Sequence, residues 1–185
     1  PQIFPTKSNF STPLSAEVRE WCEQFYSLLR SPEVVRVLTR GTTHTMPTMK
    51  MPVLQDCWWE HILFSENGQT ITGVIDFDSA NRDDPAVDVS RLLGSWQTEN
   101  ALFTERLVDL WPEAFEAYTQ TYHCKPDFST RVQRLHDTAI ICGLDRWFSW
   151  VLVENRQFSN MHWVIERIRR LFLATPHALK RLRAD

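Results

Sequence analysis

The chain has 185 residues, enough for one domain of ordinary size with a real core. Its net charge of −3 and pI of about 6.1 exclude a basic nucleic-acid surface or a polybasic membrane anchor as its organising feature. No run of eighteen apolar residues occurs, so no segment reads as membrane-spanning.

Cys22, Cys57, Cys124 and Cys142 show no C-x-x-C spacing, so neither a zinc ribbon nor a disulfide framework is expected. A reduced, cytoplasmic setting is the default for such a chain. Residues 1–14 are polar and carry Pro1, Pro5 and Pro13, which reads as a linker or extended arm and not as a signal peptide. A helix follows, with Ser15 as a possible cap and Val18, Cys22, Phe25 and Leu29 at helical spacing. Ser31-Pro32-Glu33 is a second start signal, and a short helix is expected to stop around Gly41. Residues 41–52, with two prolines and no periodicity, read as a loop.

The segment from Val53 to Leu93 carries the strongest signals. Asn67-Gly68 predicts a two-residue type I′ turn, because both central residues then need φ > 0. That turn places Phe64 opposite Ile71 and His61 opposite Val74. Alternation then puts Ile62, Phe64, Ile71, Gly73 and Ile75 on a core face, with His61, Leu63, Thr72, Val74 and Asp76 on the other. His61 and Asp76 become diagonal neighbours, roughly 7–8 Å apart at the backbone. Asp56, His61, Asp76 and Asp78 are thereby expected at one end of the ribbon. Clustered acids repel unless a positive charge offsets them, and a divalent metal is the usual answer. The competing reading is a surface hairpin whose acids are solvated.

Asp78 to Asp84 form a polar loop, with Arg82 and Asp83 expected to pair at its surface. Asp84 and Pro85 open a helix that continues through Val89, Leu92, Leu93 and Trp96, and capping and dipole effects alone would explain Asp84 and Asp88. Further helices are predicted over 100–110, over Phe115–Tyr122 after a break at Trp111-Pro112, and from about Ser129 to Glu154. Another starts at a Ser159 cap, and a last short one begins at Thr175-Pro176. The whole is an α+β, predominantly helical fold: about seven helices around a short β-hairpin at about 59–77.

The central segment resembles the aminoglycoside phosphotransferase and choline kinase-like family, which shares the protein kinase fold. The family's catalytic loop, His-Gly-Asp, four variable residues, Asn and an apolar strand, lies without a gap over Leu54-Gln55-Asp56-Cys57-Trp58-Trp59-Glu60-His61-Ile62-Leu63-Phe64. Ile75-Asp76-Phe77 matches its metal-binding motif, and Asp84-Pro85-Ala86-Val87-Asp88 matches its Asp-Pro-x-x-Asp. The resemblance covers about forty residues well. It implies that 15–185 is a kinase-like carboxy-terminal lobe, with the amino-terminal nucleotide lobe lying outside this chain. Asp56 would be the catalytic base, Asp76 the ligand of a magnesium on the ATP phosphates, and Asp84 and Asp88 the braces of the catalytic loop. Trp58 and Trp59 would form a substrate wall or simply belong to the core.

Three departures accompany the match. Leu54-Gln55 stands in place of His-Gly, His61 in place of Asn, and no Gly-rich loop or strand lysine is present. His61 either packs against Trp58 or Trp59, or contributes to cofactor and metal binding; an imidazole suits Mn2+ better than Mg2+. The expected function is ATP-dependent O-phosphorylation of a small hydroxyl-bearing substrate, this fragment alone being inactive. A degenerate relative that binds a ligand or partner without turnover, and a metal-dependent hydrolase using Asp56, His61 and Asp76, are the alternatives.

Overall fold

A computed structural model describes residues 13–43, 50–99, 104–123 and 126–184. The chain divides into two compact units, one of residues up to His44 together with Asp137–Asp185, the other Thr45–His136.

In the first unit, helix α1 (Pro13–Leu29) buries Val18, Cys22 and Phe25, which recur every three to four residues along one face. It starts at Pro13, earlier than the Ser15 expectation, since proline is well suited to a first helical turn. The second helix, α2 (Pro32–Thr43), runs through Gly41 rather than stopping there. The Ser31 hydroxyl accepts the Val34 N–H at 3.4 Å at its start. The last helix, α6 (Met161–Ala184), sets Val164, Ile168, Leu171, Ala178 and Leu182 against this core. Its cap is Asn160, which accepts the Trp163 N–H at 3.0 Å, and not Ser159. The helix passes through Pro176 without a second start, and the Thr175 hydroxyl donates to the Leu171 carbonyl at 2.9 Å beside it.

Helix α5 (Phe128–Phe148) belongs to the second unit up to His136 and to the first from Asp137. The predicted continuation to Glu154 is instead a π-helical turn, Ser149–Val153, closed by the Glu154 N–H on the Ser149 carbonyl at 2.8 Å. Asp137, 1% exposed, is neutralised by Arg181, which donates from Nε and a terminal nitrogen at 2.6–3.1 Å.

In the second unit, α3 (Ala86–Glu99) and α4 (Thr104–Thr121) pack on each other, and Ala86, Leu93, Trp111, Phe128 and Val132 form the core. The expected break at Trp111-Pro112 does not occur: α4 is continuous, with Pro112 inside it. An interior proline costs about 3 kcal/mol. Burial of Trp111, with Phe115 edge-on to it at 5.8 Å and Tyr118 stacked on Phe128 at 5.1 Å, opposes that cost.

Among the described residues this unit also has four short strands. Strands β2 (Ile62–Phe64) and β3 (Ile71–Val74) form the predicted hairpin, while β1 (Met51–Val53) pairs antiparallel with β4 (Asn81–Asp83) in a second ribbon. Both β1 and β4 lie where loops were expected. Arg82 and Asp83 do not pair as predicted: the Arg82 guanidinium reaches the Lys50 carbonyl at 3.5 Å and Asp83 accepts from Gln55. Successive side chains on a strand point to opposite sides. Among the described residues no helix is long and apolar enough to cross a membrane.

Candidate active site

Three hairpin expectations need correction. The turn is not type I′. Gly68 takes φ +68°, but Asn67 stays at negative φ, and the Ser65 carbonyl accepts the Gly68 N–H at 2.8 Å. The Asn67 side chain accepts from the Ser65 hydroxyl and the Gln69 amide, which stabilises this longer Ser65–Thr70 loop. Phe64 does face Ile71, but Leu63 faces Gly73 and Ile62 faces Val74, so Thr72 is the extra residue of a β-bulge. Beyond the bulge the register shifts by one, and the Ile75 N–H bonds the His61 carbonyl at 2.9 Å. Nor is there a core face: Phe64, Ile71 and Ile75 are each about half exposed. Periodicity tells which residues share a face, not what covers it.

The loop between β1 and β2 carries the site. Asp88, in the first turn of α3, accepts the Leu54 N–H on Oδ2 and the Gln55 N–H on Oδ1, both at 2.8 Å. Gln55 sits in the left-handed region at φ +61°, and its side-chain amide donates to Asp83 at 3.3 Å. This is the position where the resembled motif has glycine, so the loop keeps a glycine-like backbone in spite of the departure. Asp56 follows, half-buried. Its Oδ1 accepts the Trp58 indole N–H at 2.6 Å, and its carbonyl lies 2.9 Å from His61 Nδ1. A short 3-10 turn, Trp59–His61, leads into β2, and the Trp59 N–H bonds Ser95 Oγ of α3 at 3.0 Å. The indole N–H of Trp59 is buried with no hydrogen-bond partner.

At the end of β3 the chain turns sharply, with Asp76 at φ +65°. His61 Nε2 lies 3.6 Å from Asp76 Oδ2. Asp56, His61 and Asp76 are thus linked through the imidazole, whereas no described contact joins the exposed Asp78 to them. Among the described residues no three His, Cys, Asp or Glu side chains converge as a metal-binding group. The Asp56 carbonyl can only accept, so Nδ1 carries the proton. Nε2, the other ring nitrogen, is the atom that faces the Asp76 carboxylate.

Asp84 caps α3 by accepting the Ala86 N–H at 2.9 Å. Its other oxygen takes the Arg131 Nε–H at 2.9 Å, and Asp127 holds the same guanidinium at 2.5 Å. Burial opposes the charge on Arg131, but its two carboxylate partners outweigh it and hold the guanidinium above its ordinary pKa. Sequence reasoning did not find Gln55's strained backbone, Arg131, Ser95 or the indole bond to Asp56. A polar residue in the glycine position of a catalytic-loop pattern was the available signal for the first, and the two-residue spacing of Asp56 and Trp58 for the indole bond; Arg131 and Ser95, more than thirty residues from their partners, leave none.

The model of the phosphotransferase enzyme family matches residues 15–130, and the chain belongs to that family. No curated protein matches the chain.

Proposed function

We propose that the chain carries the catalytic loop of an ATP-dependent phosphotransferase acting on a hydroxyl group of a small molecule. The observation that carries this reading is the double hydrogen bond from Asp88 to the Leu54 and Gln55 amides. It fixes the backbone of the two residues that precede Asp56. Phosphoryl transfer asks the protein chiefly for positioning and charge neutralisation, and a braced carboxylate beside a cation position meets that need.

In this reading Asp56 orients the acceptor hydroxyl and takes its proton. Asp76 and His61 are the side chains that would hold a divalent ion. The donor set fits a site completed by phosphate oxygens and water, as is usual for magnesium bound by one or two protein groups. His61 gives that position one nitrogen donor, which favours Mn2+ over Mg2+ relative to an all-oxygen site. The ion, when bound, neutralises charge on the nucleotide phosphates. His61 keeps its orientation through the Asp56 carbonyl, an outer contact of the kind that aims metal-bound imidazoles. The hydrolase alternative has less support, because Asp56, His61 and Asp76 are ligands of mixed hardness without a nucleophile motif beside them.

The test is ATP consumption by the full-length protein with hydroxyl-bearing acceptors such as amino sugars, hexoses and amino alcohols. Asp56→Asn should lower the rate by about 100-fold or more, since proton transfer by a positioned group contributes roughly 10²–10⁴. An unchanged rate would leave only the ligand-binding reading.

A further inference from the structure

We propose that Trp58 is a positioning residue whose indole N–H locks the Asp56 carboxylate in its working orientation. The inference rests on Asp56 acting as the base. The Nε1–Oδ1 distance of 2.6 Å makes this a short, direct hydrogen bond. An indole N–H only donates, and an ionised carboxylate only accepts, so the sense of the bond is fixed. With Oδ1 held by the indole, Oδ2 is the oxygen left to face an acceptor hydroxyl.

The donor itself is well anchored. The Trp58 carbonyl accepts the His61 N–H at 2.9 Å, and the next residue is tied to Ser95 of α3. Cys57, on its other side, is buried. A tryptophan has only two side-chain torsions, so an anchored backbone aims its N–H with little freedom to lose. Asp56 is therefore clamped three times. Asp88 holds the amide of the preceding residue, His61 the carbonyl, and Trp58 the carboxylate. A phenylalanine at position 58 would keep most of the ring and remove only the third clamp.

Indole N–H signals in a nitrogen–proton correlation spectrum test the bond directly. Trp58→Phe removes one signal and so assigns it. In Asp56→Ala that signal should move upfield and exchange with solvent about ten-fold faster, while the other indole signals hold. In the turnover assay, Trp58→Phe should lower kcat about ten-fold with KM for ATP unchanged, about the effect of one net hydrogen bond. Trp58→His, which restores a ring N–H, should recover part of the loss. An indole signal indifferent to Asp56→Ala overturns the inference. So does a full rate in Trp58→Phe alongside an inactive Asp56→Asn, and in that case the base assignment survives. Full turnover in Asp56→Asn, or none in the full-length protein with any acceptor, overturns the phosphotransferase reading and takes the role of Trp58 with it.

Discussion

Asp88 and Gln55, thirty-three positions apart, are joined by a 2.8 Å hydrogen bond from a backbone amide to a carboxylate. The same carboxylate takes the Leu54 amide, so one side chain of α3 satisfies two consecutive donors of the loop that precedes Asp56. The contact ties the helix N-terminus to the β1–β2 loop and explains how a left-handed residue persists there.

Asp88→Ala should therefore destabilise the protein and not merely alter the site. Two part-buried amides would lose their acceptor, at about 1–3 kcal/mol for each group left unsatisfied. Asp88→Asn retains one acceptor oxygen and should lie between the wild type and the alanine variant. Urea denaturation monitored by circular dichroism measures both, and an alanine variant of unchanged midpoint would contradict the bracing role.

The strain at Gln55 can be measured by comparing two substitutions. Both Gln55→Gly and Gln55→Ala lose the side-chain bond to Asp83, but only glycine adopts φ +61° freely. Glycine should exceed alanine in unfolding free energy by about 1 kcal/mol, the cost of a left-handed L-residue. Equal stabilities would mean that the loop relaxes out of this conformation.

Gly94→Ala should be costly for a different reason. A methyl at Gly94 would lie 2.6 Å from His136 Nδ1, and that imidazole is buried edge-on to Trp111 at 5.1 Å. The ring cannot swing aside without disturbing the core, so a loss of about 1–3 kcal/mol is expected, as for other overpacked sites. A thermal melt within a degree of the wild type would show that His136 has room to move.

Alkaline pH should weaken the fold. Burial pushes the Cys22 and Cys57 thiols up to about 11 from an ordinary value near 9, with nearby carboxylates adding to the effect. Burial, and then the bond to Asp145, also raises Tyr26 above its ordinary value. Between about pH 9 and pH 11 the unfolded thiols release protons that the folded ones keep. The unfolded state then binds fewer protons, so unfolding free energy falls as pH rises through that window. Chemical denaturation at pH 8 and pH 10.5 checks the sign. Replacing both cysteines with alanine should flatten the dependence, although the cavities also lower stability at both pH values.

Much of this architecture is visible in local patterns. The apolar spacing of α1 and the Asn-Gly reversal near residue 67 identify a helix and a hairpin, because period and turn chemistry are properties of a few adjacent residues. The family motifs point to Asp56, Asp76 and Asp88 for the same reason, since their spacing is carried on a short stretch. The prolines misled: Pro112 and Pro176 signal breaks by their own geometry, but packed neighbours keep α4 and α6 continuous.

Chain chemistry alone thus settled where the polypeptide reverses and which side chains can hold charge or move protons. Folding in three dimensions settled their distant partners: Asp88 with two loop amides, Asp84 with Arg131, and the Trp59 amide with Ser95. The bulge at Thr72 and the exposure of the ribbon belong to the same category. Backbone preferences act over neighbouring residues, whereas hydrogen-bond partners dozens of positions apart are chosen by how helices and strands pack.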